Sequence, residues 1–154
     1  MLLCTIALKK CWQFQNENHS NLQICWCENG LNSFTLWIWP LHSCEYFKID
    51  SENVIVFHDD LDVDFTKIKT KFGGSSAGHN GIASIDKFIG KEYSRVRIGI
   101  GKPDTKIEIS DFVLTNFSDE EKIKLEKVIK NIIESMPILI DKKLDLFSST
   151  VNNQ

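Results

Sequence analysis

Two short stretches concentrate side chains able to act as acids, bases or ligands. The first is His58-Asp59-Asp60-Leu61-Asp62, an imidazole and three carboxylates within five positions. Three acids this close could hold a metal, and aspartate equally favours a plain solvated turn. The second is "FGGSSAGHNGIASID". Between Gly73 and Gly81 it has four glycines, two serines and an alanine, with His79 and Asn80 among them. A loop so cleared of side chains could cradle phosphate, hold a catalytic dyad or simply turn a corner. The phosphate fingerprints are absent: there is no G-x-x-x-x-G-K-[ST] and no G-x-G-x-x-G opening a helix. On the plainest reading Asn80 caps the next helix, His79 packs and the glycines turn.

The flanking elements decide where these side chains can go. "ENVIVFHD" is an apolar, β-branched run that reads as a buried strand. The acidic turn therefore stands at the carboxyl end of a strand, where ligands bind in α/β sheets. "TKIKTKF" alternates, with Lys67, Lys69 and Lys71 on one face and Ile68, Thr70 and Phe72 on the other. "NGIASIDKFIG" has helical spacing, and Gly90 can end it. "SRVRIGIG" alternates again, with Val96, Ile98 and Ile100 opposite Arg95 and Arg97. Ser118 and Glu121 form a capping box ahead of an apolar stripe from Leu125 to Met136. Pro137 breaks or kinks that helix. The tail, residues 148–154, reads as frayed. Strands alternating with helices predict a single α/β domain.

Charge is unevenly placed. The chain of 154 residues has a formal net charge of −3, which argues against a generally basic nucleic-acid binder. Yet Lys67 to Lys102 contains eight basic residues against Asp86 and Glu92, a local balance of +6. The plain reading is a solvated strand face, and the sharper one is a patch for a polyanion. No aromatic residue alternates with the basic ones on the two strand faces, so contact with a phosphate backbone is expected rather than base stacking.

The first 44 residues differ from the rest. They hold all five cysteines and all four tryptophans, and neither Asp nor Arg precedes Asp50. No sustained period assigns them to an element. The odd cysteine count predicts reduced thiols, not a disulfide framework. Cys25 and Cys27 with His42 and Cys44 do not have the spacing of usual zinc modules. No run approaches the roughly twenty apolar residues of a membrane span, and no signal-peptide order is visible.

Taken together, "VIVFHDDLDVDFTKIKTKFGGSSAGHNGIASID", "SRVRIGIGKP" and "ISDFVLTNF" resemble the bacterial peptidyl-tRNA hydrolase family. The resemblance covers about residues 45–147, with H-D-D-L-D, G-G-x-x-x-G-H-N-G and R-x-R-I-G-x-G in family order and spacing. It implies a central mixed β-sheet flanked by helices, incomplete on its N-terminal side. It also implies hydrolysis of the ester between a peptide and the tRNA 3′ ribose, without metal or cofactor. A histidine acts there as general base on water, and an aspartate orients it. Asp59 matches the orienting aspartate, and Asn80 matches an asparagine that contacts substrate and water. Lys71 and Arg97 match basic residues that hold tRNA phosphate. His79 matches a supporting residue, not the base. A cytoplasmic monomer acting on peptidyl-tRNA, with no membrane partner, is the implied setting.

The first 44 residues lack the family's G-x-G-N-P-G, T-R-H-N and K-P-x-T-[FY]-M-N-x-S-G motifs. The second of these carries the base, and the third a further substrate asparagine. His19 stands near the expected distance from the start, but its neighbours differ and it lies only 40 residues before Asp59. The composition changes where the resemblance stops. One cause is expected for both, a shifted reading frame or a replaced segment. The alternative functions are a tRNA-binding family member without hydrolysis, or a non-functional product.

Overall fold

A computed structural model of the chain describes residues 23–27, 50–103, 108–113 and 115–154. Four strands form one mixed sheet: β1 (Gln23–Cys27), β2 (Val54–Asp60), β3 (Ile68–Phe72) and β4 (Ser94–Gly99), in the order β1-β2-β4-β3. β1, β2 and β4 are parallel, and β3 runs antiparallel to β4. β1 corrects the expectation that the first 44 residues have no assignable element: it pairs with β2 from Gln23↔Val54 to Cys27↔His58. Parallel pairing satisfies main-chain groups whatever the side chains, so side-chain periodicity gave no sign of it. His19, His42 and Cys44 lie outside the described residues.

β2 is buried from Val54 through His58, as a strand covered on both faces must be. Its alternation splits the core in two. Val54 and Val56 meet Ile82, Ile85 and Tyr93 under helix α1 (Asn80–Ile89). Ile55 and Phe57, with Ile68, Val96 and Ile98, face α3 (Asp119–Glu134), α4 (Met136–Ile140) and α5 (Leu144–Asn153). The described residues also include α2, a single helical turn at Ile109–Phe112, and a 3-10 turn at Ser51–Asn53 ahead of β2. α3 starts at the expected capping box, with Ser118 and Glu121 bonding each other's main chain. It ends at Glu134, and Pro137 sits in the first turn of α4, where its missing N–H costs nothing.

The tail is a correction. Residues read as frayed belong to α5, which is helical through Asn153. Phe147 and Val151, four apart, share one buried face, each such burial worth roughly 1.5–3 kcal/mol. Asn152 also spans the free edge of β3. Its Oδ1 accepts the Ile68 N–H at 2.8 Å, and its Nδ2 donates to the Ile68 carbonyl at 2.8 Å. Thr70 Oγ1 donates to the Leu144 carbonyl. An edge strand left open is a hazard, and α5 closes this one.

Phe72 departs from its expected place on the apolar face of β3, being 46% exposed at the strand's end. Gly99 has a strict reason to be glycine. A Cβ there would collide with the main-chain carbonyl of Asp64, in the turn folded back over β4.

Candidate functional site

The glycine loop must return along the sheet. Phe72 ends β3 opposite Ser94, at the start of β4. His79 lies against Asp59, whose neighbour on β4 is Ile98. Four strand residues separate those positions, roughly 13 Å at about 3.3 Å each. Residues 73–79 cover that distance, with Gly73 and His79 buried at the two ends and Ser75, Ala77 and Gly78 exposed between them. The loop's main chain is tied down as it goes. Gly73 N–H donates to the Tyr93 carbonyl at 2.9 Å. Ser76 to His79 closes as a turn, with the His79 N–H on the Ser76 carbonyl and positive φ at Ala77 and Gly78.

Arg95 is the main tether. It is 3% exposed, lying beneath the loop. Its Nη1 donates to the Ser75 carbonyl at 2.8 Å, and its Nη2 to the Gly74 carbonyl at 2.9 Å and to Asp86 Oδ1 at 2.8 Å. Tyr93 donates its hydroxyl to the same Asp86 oxygen, and its ring stacks under the guanidinium at 4.6 Å. Arg95 thus belongs to the loop's scaffold and not to a solvated basic face, which corrects the patch read from charge alone. Nothing in the alternation of "SRVRIGIG" marks this, because the partners sit 9 to 21 residues away.

The loop delivers His79 to the carboxyl end of β2. His79, not Asn80, is the N-cap of α1: its Nδ1 accepts the Ile82 N–H at 3.2 Å. A main-chain N–H can only donate, so Nδ1 is the acceptor and the neutral ring carries its proton on Nε2. Nε2 faces Asp59 Oδ1 at 3.1 Å. Both ring nitrogens are committed, and His79 is 7% exposed. Asn80 becomes the first residue of α1, and it is exposed. Cap propensity favoured asparagine, but the carboxylate of Asp59 holds the histidine one position earlier.

His58 packs edge-on against His79, with ring centroids 5.1 Å apart and planes at 81°. Its Nδ1 donates to the Asp59 carbonyl at 2.8 Å. Burial, and then the neighbouring His79, lower its pKa from 6.5 to about 4, against the opposing pull of the Asp59 carbonyl and the Asp59 and Asp60 carboxylates. It is neutral at pH 7 and a poor proton acceptor there.

Asp60 and Arg97 form the outer part of the site. Arg97 Nε donates to Asp60 Oδ2 at 2.7 Å. Asp60 Oδ1 takes the Asp62 N–H at 2.8 Å. Burial raises the Asp60 pKa, but the hydrogen bonds from Arg97 and Asp62 outweigh it and the net shift is downward. Lys69 is directly across from Arg97 on β3, and Lys71 is across from Arg95. Lys71 folds over the loop, so that a Cβ on Gly74 would lie 2.7 Å from its Nζ. Among the described residues no group of three or more His, Cys, Asp or Glu is placed to hold a metal, and no helix is long and apolar enough to cross a membrane.

Residues 40–154 match the family model described as peptidyl-tRNA hydrolase. A peptidyl-tRNA hydrolase of Pelagibacter ubique (strain HTCC1062) is 74% identical over 110 residues, covering 71% of this chain and 59% of that protein. The chain thus matches little more than half the length of that relative. One from Aliarcobacter butzleri (strain RM4018) is 47% identical over 141 residues, covering 86% of this chain and 77% of that protein. A solved peptidyl-tRNA hydrolase from Acinetobacter baumannii superposes with a TM-score of 0.64 at 28% identity, covering 73% of this chain and 57% of that one.

Proposed function

The chain belongs to the peptidyl-tRNA hydrolase family, and from that premise we propose that it hydrolyses the ester joining a peptide to the 3′ ribose of tRNA. The observation that supports this reading best is the gathering of Asp59, His79 and Asn80 at the carboxyl end of a parallel strand. In the reaction a water oxygen bonds to the ester carbonyl carbon while a base takes its proton. The carbon–oxygen bond to the ribose breaks, and the ribose oxygen takes a proton on leaving. Asp59 orients an imidazole and stabilises its charged form. Asn80, exposed and released from capping by His79, positions the attacked carbonyl and shares in stabilising its developing negative charge. Lys71 and Arg97 hold tRNA phosphate. No metal or cofactor takes part, and the protein acts as a cytoplasmic monomer.

His79 is not the base in this account. To accept a proton from water it would have to release either the Ile82 N–H or Asp59. The family's base-bearing motif is absent from this sequence, and His19, outside the described residues, is the histidine weighed in its place.

A second reading is favoured by the state of the two described histidines. One has both nitrogens engaged and the other is a buried, weak base, which suits a tRNA-binding member without hydrolysis. Incubation with an N-acylated aminoacyl-tRNA separates the two. Steady release of free tRNA supports the hydrolase. Binding that weakens steeply with salt, with no release, supports the binder.

A further inference from the structure

Arg97 is held differently from every other exposed or half-exposed cation near the loop. Its Nε is taken by Asp60, while its two terminal nitrogens donate to no described residue and are not among the buried unpartnered atoms. They therefore reach solvent. The side chains of Arg97 and Asp60 are 26% and 12% exposed. Asp60 is itself fixed, since its second oxygen is bound to the Asp62 N–H in the turn after β2.

We propose that Asp60 is a positioning residue for RNA: it clamps the inner edge of Arg97 so that the outer edge of the guanidinium is presented to a phosphate beside Lys69 and Lys71. This rests on the tRNA-binding part of the function proposed above. A planar guanidinium can serve two oxyanions on different edges, which an ammonium cannot do as well. An arginine already ordered by folding loses less freedom on binding. Asp60 therefore aids the capture of a polyanion although its own charge would repel one. Asp62 is the natural control. It is two residues away and pairs with Lys102 at 2.7 Å, but both side chains are more than half exposed and neither is fixed.

The two residues predict different outcomes. Binding of deacylated tRNA is measured across a salt series for the wild type, Asp60→Asn and Asp62→Asn. Asparagine keeps the shape and can still accept the Asp62 N–H. Asp60→Asn is expected to weaken binding by roughly tenfold and to lower the salt slope by about one. Asp62→Asn is expected to leave affinity unchanged or to raise it. In an Arg97→Ala background, Asp60→Asn is expected to add nothing. Unchanged or tighter binding by Asp60→Asn overturns the inference alone. Absence of salt-dependent binding by the wild type removes the tRNA reading and this inference with it. If Asp60→Asn does not fold, Arg97→Lys decides the matter: a several-fold loss with charge retained is expected, and equal affinity overturns the proposal.

Discussion

Arg95 and Arg97 stand two residues apart on the same face of β4, each bonded to an aspartate. At the start of the strand, Arg95 is buried beneath the glycine loop and donates to three oxygens. Near its end, Arg97 donates to one and keeps its outer edge in solvent. In the sequence they are one repeated feature. In the folded chain one ties down the loop, and the other turns its outer edge to solvent. Fixed charge on one strand face is thus of two kinds, and burial with partner count separates them where residue type does not.

Four measurements put this contrast at risk. The largest effect is expected for Arg95→Ala. It leaves Asp86 buried without its cation, and it strips donors from the Ser75 and Gly74 carbonyls. A loss of about 3–5 kcal/mol is expected in chemical denaturation. A loss below about 1 kcal/mol would mean that the loop is not tethered there.

The next concerns His58, the β2 neighbour of Arg97. Its folded pKa of about 4 lies below the ordinary 6.5, so the unfolded chain takes up this proton first as pH falls. Its contribution is intact above pH 6.5 and lost progressively between 6.5 and 4, on the order of 3 kcal/mol in all. Denaturation at several pH values is expected to show a flatter profile for His58→Asn over that window. An identical profile would contradict the assignment.

Asn152→Ala comes third. It removes both bonds to Ile68 on the open edge of β3, at an expected cost of about 2 kcal/mol. Amide exchange in β3 is expected to quicken with it, loosening the strand that sets Lys69 opposite Arg97. The smallest stability effect is expected for Arg97→Ala, under about 1 kcal/mol. A fall in affinity for deacylated tRNA is nevertheless expected of this variant if the proposed function holds. Destabilisation comparable to that of Arg95→Ala would erase the distinction between the two.

Much of the fold was legible because it follows period and caps. β2, β3 and β4 follow from alternation or a buried apolar run, and α1 and α3 from spacing, Gly90 and the capping box of Ser118 and Glu121. What was not legible depends on distant partners. "SSTVNNQ" looks like a loose end because its anchors are one buried valine and an amide that reaches a strand 84 residues away. The cap of α1 moved from Asn80 to His79 because a carboxylate 20 residues upstream holds the imidazole. β1 pairs through its main chain, which leaves no required side-chain pattern. Asp59 and Asp60 both stand in the H-D-D-L-D motif, whereas Asp86 and Tyr93 carried no sequence sign of their contacts with Arg95.

The activity proposed is ester hydrolysis supported by Asp59. Its most direct test is release of free tRNA from an N-acylated aminoacyl-tRNA, comparing the wild type with Asp59→Asn while tRNA binding is followed in parallel. The account predicts turnover by the wild type, a fall of about 10²-fold or more in Asp59→Asn, and little change in affinity for deacylated tRNA. Salt-dependent binding without turnover by the wild type, or equal turnover by Asp59→Asn, would contradict it.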